Sequence, residues 1–468
     1  MDRSYDGRLP DWLDEGGRRG IEKPLSEGTA LAFLKYSFRQ AGLWDHRIWR
    51  RRKLSAPESF GAGSGRDACP VHGEQGIYKQ MTEEKKKIYL DNAATEPMRR
   101  EALDAMESAM EETWGNASAF YQTAQQAKAL LEKSRDELAE TIGAQPREIY
   151  FTSGGTEGDN WALTGAFEMA RAGGKKLRIV TTPIEHHAVL RTAEHLKQYG
   201  CEIEYLPVDS SGFISFKDLC RIPAEGTALL SVMTANNEIG TIEPIGDAAK
   251  AAGGKKILLH TDAVQAYGKI PLDVRKIPVD LLSVSAHKIG GPKGIGFLYI
   301  RQGTKIGAFI HGGMQERGRR AGTENVPAAA GFAAAAKAAM KGMEETAGRE
   351  RRMQEMFFAE IRSRIPQVHL NGPEFGERRL PGNVNICIPG VSAEAVLMAL
   401  DFEGIAASAG SACTTGAIEP SHVLAAIGRT REEAKSSLRF SFGPETTTED
   451  LHSTAEALGR IYERMQAH

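Results

Sequence analysis

The sequence predicts an α/β protein with a mostly parallel sheet and a smaller second region of α+β type. From residue 88 onward, short apolar runs alternate with helical stretches, which is the pattern of a parallel sheet covered by helices on both faces. Polar motifs follow several of these runs, and the carboxyl ends of parallel strands are where such folds bind ligands. A long helical tract at 327–365 then leads into further short elements.

Each predicted strand is short and is followed by a helix or a polar turn. The predicted strands are 178–181, 202–206, 228–233, 257–260, 281–285 and 296–300. The predicted helices before the long tract are 101–112, 122–142 and 157–171. Beyond the tract, the elements 382–388, 393–403 and 437–441 predict the smaller second domain.

The composition is that of an ordinary globular chain. Of the 468 residues, 41% are hydrophobic and 26% are charged, with a net charge of −2, so nothing predicts a nucleic-acid or membrane partner. No apolar run approaches the ~18 residues of a membrane span, and no signal-peptide core is present. The five cysteines are scattered, with no disulfide framework and no CxxC metal site. A reducing cytoplasm is therefore expected.

Residues 1–81 form an N-terminal extension unlike the rest. They hold three of the five tryptophans, a basic run at 47–53 and a Gly/Ser-rich tract at 61–65, without the strands needed to close a core. Three interpretations compete: a disordered arm, a docking extension, or non-native sequence upstream of a start at Met81. We favour the first or the third.

Lys288 is the most informative residue. It follows the apolar run 279–284 and stands beside His287 and Ser285, ahead of the glycine-rich turn 290–294. An amine in that context suits a Schiff base with a phosphorylated aldehyde cofactor. A solvated lysine would be the commoner reading of Lys288 alone, but the motifs elsewhere in the chain reverse that preference.

An anion site is predicted at the strand–turn–helix segment 150–158. Gly155 and Thr156 open the helix, where free backbone N–H groups and the helix dipole attract a negative charge. A simple helix cap would look similar.

Two further strand ends carry candidate groups for a flat, basic ring. Asp262 follows an apolar strand, and a buried aspartate there would need a cation such as a protonated pyridine nitrogen. His186 stands where an imidazole could stack on that ring, and Asn236 supplies an amide at another strand end. A helix-capping aspartate and a structural histidine are the competing readings.

Cys413 lies in a segment of small residues, 406–416, which leaves its sulfur unhindered. Arg439 follows on a predicted strand and could hold a carboxylate through two hydrogen bonds.

Together these motifs resemble the cysteine desulfurases, pyridoxal 5'-phosphate enzymes of fold type I. The resemblance runs from about residue 88 to the C-terminus, most specifically in the blocks 89–95, 152–157, 236–240, 260–265, 285–294, 316–325, 410–413 and 419–424. It implies a seven-stranded sheet, a large domain over 95–345, and a small domain formed by 82–94 with 346–468. The long loop around Cys413 resembles the group that serves nitrogen fixation and housekeeping cluster assembly.

The resemblance also implies roles for individual residues. Lys288 would form the Schiff base and move the Cα proton, Asp262 would pair with the ring nitrogen, and His186 would stack on the ring. Arg439 would bind the carboxylate of L-cysteine, and Cys413 would take its sulfur as a persulfide. The remaining contacts to cofactor or substrate would come from Gly155, Thr156, Asn236, Gln265, Ser285, His287 and, from a second subunit of a homodimer, Thr323.

The partners follow from the same resemblance. A sulfur-acceptor protein is expected, either an iron–sulfur scaffold or a tRNA-thiolation relay, and the sequence does not choose between them. No metal site is expected beyond a transient cluster contact through Cys413. The alternatives are a selenocysteine lyase or another lyase with the same cofactor, and a non-catalytic scaffold. Cys413 argues against the first, and Lys288 with its neighbours against the second.

The chain departs from the family pattern at three places. They are Ala117–Tyr121, Met314–Gln315 and Pro444, which we expect to border the site entrance and to bear on substrate or acceptor preference.

Overall fold

The computed structural model describes residues 87–172, 177–409 and 420–467. The N-terminal extension 1–81 and Cys413 lie outside the described residues.

A seven-stranded sheet forms the centre of the larger region. Its strand order is β2-β8-β7-β6-β5-β3-β4. Strand β8 is antiparallel to both of its neighbours, and the other neighbouring pairs are parallel. The strands are β2 (Ile149–Thr152), β3 (Leu177–Thr181), β4 (Cys201–Tyr205), β5 (Thr227–Ser231), β6 (Leu258–Asp262), β7 (Leu281–Ser285) and β8 (Gly296–Ile300). The predicted mostly parallel sheet is confirmed.

Helices cover both faces of this sheet because successive side chains of a strand point to opposite sides. In β8, Phe297 and Tyr299 belong to one apolar cluster, whereas Leu298 and Ile300 belong to another. The helices of this region are α1 (Arg100–Glu112), α2 (Gln122–Thr141), α3 (Gly155–Arg171), α4 (His187–Lys197), α5 (Phe216–Arg221), α6 (Ile245–Gly253), α7 (Gln315–Gly318) and α8 (Val326–Lys341).

The helical tract predicted over 327–365 is two helices. Helix α8 ends at Lys341 and α9 (Met343–Arg364) begins after Gly342, a residue with low helix propensity. Helix α8 is rich in alanine and packs closely on α1. At Gly331, an added Cβ would lie 2.5 Å from the Met106 side chain.

The C-terminal elements build a second, smaller core. Strands β9 (His369–Leu370), β10 (Asn383–Cys387) and β12 (Ser437–Ser441) form an antiparallel sheet, and β1 (Ile88–Tyr89) pairs in parallel with β11 (Ile405–Ala406). The helices here are α9, α10 (Ala393–Phe402), α11 (His422–Ala426), α12 (Arg431–Lys435) and α13 (Thr448–Gln466). This α+β region agrees with the predicted fold class, and the exact domain boundaries stay a prediction.

Within the described ranges, no helix has the length and apolar character needed to cross a membrane.

Candidate active site

A cavity of about 370 Å³ opens where β6 and β7 end. Parallel strands bring their carboxyl ends to one edge of the sheet, so the turns that follow them meet there. Nine of the residues predicted from the sequence line this cavity: Gly155, Thr156, His186, Asp262, Gln265, Ser285, His287, Lys288 and Arg439.

Lys288 lies in the short 3-10 turn Ala286–Ile289 that follows β7. Its Nζ donates to the carbonyl oxygens of Ala93 at 2.6 Å and Ala94 at 2.7 Å. Burial lowers the pKa of Lys288 to about 8, and the positive charges of Lys269 and Arg439 act in the same direction. A neutral, nucleophilic amine is therefore accessible near neutral pH.

Asp262 is the last residue of β6 and is almost completely buried. Its Oδ1 accepts a hydrogen bond from the Val264 N–H at 2.8 Å, and no salt bridge within the described ranges includes it. Burial raises the pKa of Asp262, while the neighbouring His186 opposes the rise. A cation bound in the cavity would stabilise this carboxylate.

His186 is the N-cap residue of α4, and its Nδ1 accepts the Ala188 N–H at 3.1 Å. Burial lowers the pKa of His186, which favours the neutral ring. Since Nδ1 accepts, the single proton of that neutral ring is on Nε2.

The predicted anion-binding turn, Gly155 and Thr156, also lines the cavity. Gly155 and Thr156 begin α3, whose first N–H groups have no partner within the helix. At Gly155 an added Cβ would lie 2.5 Å from Val264 Cγ2, so a larger residue there would require Val264 to move. Ser285 and His287 line the same cavity. Burial lowers the pKa of His287 to about 4, and the neutral ring bonds Thr95 Oγ1 at 3.1 Å.

Arg439 enters the cavity from β12, and its side chain is buried. Its Nη1 donates to the Asn237 carbonyl oxygen at 2.9 Å, and its Nη2 donates to Asp91 Oδ1 at 2.7 Å. Its Nε has no hydrogen-bond partner among the described residues. A guanidinium in this position can bind an additional carboxylate.

Among the predicted site residues that the structure describes, two do not line the cavity. Asn236 is fully buried, its Nδ2 donates to the Ile184 carbonyl oxygen, and its Oδ1 accepts the N–H groups of Glu238 and Ile239. These bonds occupy the side chain, and the next residue, Asn237, lines the cavity instead. Thr323 is exposed and away from the cavity of its own chain.

The three departures from the family pattern also lie off the lining of this cavity. Phe120 and Met314 are exposed, at 96% and 81%, and Pro444 lines a separate cavity of about 550 Å³.

The sequence reasoning missed two acidic residues at the site. Asp91 holds Arg439, and Asp159 of α3 lines the cavity with almost no exposure. Asp91 lies in the block 89–95, one of the blocks in which the family resemblance is most specific, so that resemblance could have identified it.

Both attachment points of the segment 410–419 lie beside the cavity. Ser408 and Arg439 exchange two backbone hydrogen bonds, of 3.1 and 2.6 Å. On the other side, Ser421 Oγ donates to Glu238 Oε2 at 2.5 Å, and His422 Nε2 lies 2.9 Å from the Glu185 carbonyl oxygen. The described residues on either side of 410–419 are therefore bonded to, or next to, residues that line the cavity.

Comparisons with known proteins agree with this geometry. Residues 88–453 match the aminotransferase class-V family. The chain is 46% identical over 383 residues to a cysteine desulfurase IscS of Dictyoglomus turgidum, covering 82% of this chain and 96% of the relative. It is 45% identical over 377 residues to a cysteine desulfurase IscS of Clostridium botulinum, covering 80% of this chain and 94% of the relative.

Solved structures show the same fold. A structure titled NifS-like protein matches with a TM-score of 0.76 and 35% identity, over 81% of this chain and 99% of that chain. SspA in complex with cysteine matches with a TM-score of 0.67 and 33% identity, over 77% of this chain and 100% of that chain. The predicted resemblance is confirmed: the chain belongs to the class-V aminotransferase family and, within it, to the cysteine desulfurases.

Proposed function

We propose that the cavity holds pyridoxal 5'-phosphate and that the chain passes sulfur from L-cysteine to Cys413, releasing L-alanine. The observation that carries this proposal is the cavity lining. A lysine amine of lowered pKa, a buried carboxylate and an anion-binding turn face one space of about 370 Å³, and a phosphorylated pyridine aldehyde has a complementary group for each of them.

A buried polar atom without a hydrogen-bond partner also fits a bound cofactor. Gln265 Oε1 is buried without a hydrogen bond among the described residues, although its Nε2 donates to the Ala93 carbonyl oxygen at 2.9 Å. The turn at Gly155 and Thr156 would hold the phosphate with Ser285 and His287, and Asp262 would hold the ring nitrogen. When bound, the cofactor supplies an electron-withdrawing ring that weakens the bonds at the substrate Cα.

Lys288 is proposed to hold the aldehyde carbon and to move the proton at Cα. The Ala93 and Ala94 carbonyl oxygens accept hydrogen bonds from its Nζ and keep the amine over the cavity. Because its pKa is about 8, Lys288 can both accept and return a proton near neutral pH.

Arg439 is proposed to bind the carboxylate of L-cysteine. Its Nε is buried without a hydrogen-bond partner among the described residues, and its Nη2 donates to the carboxylate of Asp91. Both observations support a role in binding a carboxylate. The neutral ring of His186 would cover one face of the cofactor and exclude water there.

Cys413 is proposed to accept the sulfur. Its thiolate would bond the substrate sulfur while the carbon–sulfur bond breaks, leaving a persulfide on Cys413. The electron pair of the broken bond would stay with the substrate carbon, which takes up a proton and becomes the methyl group of L-alanine. Cys413 is four positions after Ala409, so even a fully extended chain keeps its Cα within about 14 Å of the Ala409 Cα. This limit on distance keeps the Cys413 sulfur close to the cavity.

A homodimer is proposed, in which Thr323 of a second subunit completes the phosphate site. The exposure of Thr323 away from its own cavity supports this. The persulfide would pass to an acceptor protein, an iron–sulfur scaffold or a thiolation relay, in the cytoplasm.

The test is the visible absorption spectrum of the purified protein with and without L-cysteine, followed by assays for alanine and sulfide. A visible band that L-cysteine changes, with formation of alanine, is expected. A protein that shows no visible band after incubation with pyridoxal 5'-phosphate and removal of the unbound cofactor would refute the proposal.

A further inference from the structure

A carboxylate lies beside the anion-binding turn. Glu157 is in the first turn of α3, next to Gly155 and Thr156, which line the cavity. An acidic residue suits a helix N-terminus by itself, but at an N-terminus that binds an anion its charge opposes that anion.

Glu157 is held by two groups. Its Oε2 accepts the Ser153 N–H at 2.7 Å, which folds the turn over the start of the helix. Arg320 Nε donates to Oε1 at 2.8 Å, and Arg320 Nη2 donates to Oε2 at 3.1 Å. Burial alone would raise the pKa of Glu157, but the hydrogen bonds from Arg320 and Ser153 outweigh it and lower the pKa. Glu157 is therefore ionised, and Arg320 neutralises it.

Arg320 belongs to a segment that is fixed independently of this pair. The preceding Glu316 forms a buried bidentate pair with Arg135 at 2.8 Å and accepts the Phe151 N–H at 3.1 Å. Ala321 N donates to the Ile310 carbonyl oxygen at 2.9 Å. Because these bonds hold the segment in place, substitution of Arg320 should remove its charge without displacing the segment.

We propose that Arg320 is a positioning residue for the phosphate of the cofactor, acting through Glu157 by cancelling its charge at the anion-binding turn. The proposal rests on the proposed function in one respect, namely that this turn receives the phosphate of pyridoxal 5'-phosphate. Affinity for the phosphorylated ligand should then follow the net charge of the pair.

Four proteins test this: the wild type, Glu157→Gln, Arg320→Met and the double variant. The net charge at positions 157 and 320 is 0 in the wild type, +1 in Glu157→Gln, −1 in Arg320→Met and 0 in the double variant. The dissociation constant of pyridoxal 5'-phosphate is measured by ultrafiltration of each purified protein. Arg320→Met is expected to bind about tenfold more weakly than the wild type. Glu157→Gln should bind at least as tightly as the wild type, and the double variant should recover most of the loss.

Two controls isolate the charge effect. Pyridoxal, which lacks the phosphate, should bind all four proteins alike. Arg178→Met removes an arginine of β3 that pairs with Glu202 of β4 at 3.1 Å. Neither residue lines the cavity, so this variant should leave both ligands unaffected.

The result that would overturn the proposal is a double variant no better than Arg320→Met, because that pattern means the pair acts only by holding structure. Equal losses for pyridoxal and its phosphate would overturn it as well. If Arg320→Met does not fold, Arg320→Lys replaces it, because lysine keeps the positive charge. Wild-type affinity of Arg320→Lys for pyridoxal 5'-phosphate would support the proposed charge effect, and a tenfold loss would contradict it. A wild type that binds neither ligand would instead refute the proposed function.

Discussion

Arg439 Nη2 lies 2.7 Å from Asp91 Oδ1, although the two residues are 348 positions apart in the sequence. The contact forms because Asp91 and Ser441 make a parallel bridge just beyond β1 and at the end of β12. With Nη1 on the Asn237 carbonyl oxygen, the guanidinium is fixed before any substrate binds. Such preorganisation lowers the cost of binding a carboxylate.

Arg439→Ala should therefore weaken the use of L-cysteine and spare the cofactor. A charged hydrogen bond contributes about 1.5–3 kcal/mol, so kcat/KM should fall roughly 10- to 150-fold. Steady-state kinetics and the visible spectrum check this together. An unchanged kcat/KM would remove Arg439 from the substrate site.

Lys288→Ala should abolish turnover and the covalent attachment of the cofactor, because the amine that bonds the aldehyde is gone. Borohydride reduction followed by mass spectrometry should find the cofactor adduct on Lys288 in the wild type and no adduct in the variant. Lys293→Ala, which changes an exposed lysine of the following turn, is the matched control and should behave as the wild type. An adduct that persists in Lys288→Ala would assign the attachment to another amine.

The pKa of Lys288 gives a pH dependence of definite sign. Burial, then the charges of Lys269 and Arg439, lower this pKa to about 8, so the neutral amine becomes the major form as the pH rises through that value. The rate at which cofactor-free protein takes up pyridoxal 5'-phosphate should rise with pH, with a midpoint near the same value. Stopped-flow absorption measures it. A midpoint near the ordinary lysine pKa of about 10.4 would show that the amine is not perturbed.

Asp262→Asn should weaken cofactor binding and remove most activity. A neutral amide cannot hold the ring nitrogen protonated, so the ring withdraws electrons less strongly. The dissociation constant of the cofactor and the rate of alanine formation are the readouts. A large spectral change in Arg439→Ala combined with none in Asp262→Asn would mean that the two roles are exchanged.

The strand ends could be predicted from the sequence because their signals are local. Lys288 and Asp262 each come within four residues of the end of an apolar run, and both line the cavity. The choice between Asn236 and Asn237 could not be predicted, because it depends on which amide side chain satisfies the turn after β5. Asn236 does so through its bonds to Glu238 and Ile239.

Long-range contacts were also beyond the sequence reasoning. The pairing of β1 with β11 and the contact of Asp91 with Arg439 join distant segments, and no local pattern encodes such a partner. The break at Gly342 is the converse case. The glycine was visible, but the prediction of a helical tract over 327–365 did not place a break there.

Sulfur transfer through Cys413 is the central claim, and the most direct measurement incubates the wild type and Cys413→Ser with ³⁵S-labelled L-cysteine. Protein-bound label is then counted under non-reducing conditions, and alanine is assayed in the same samples. The wild type should carry label that dithiothreitol releases and should form alanine. Cys413→Ser should keep the cofactor spectrum, carry no such label and form almost no alanine. Alanine formation by Cys413→Ser at the wild-type rate would contradict the persulfide route and favour direct release of sulfide from the substrate.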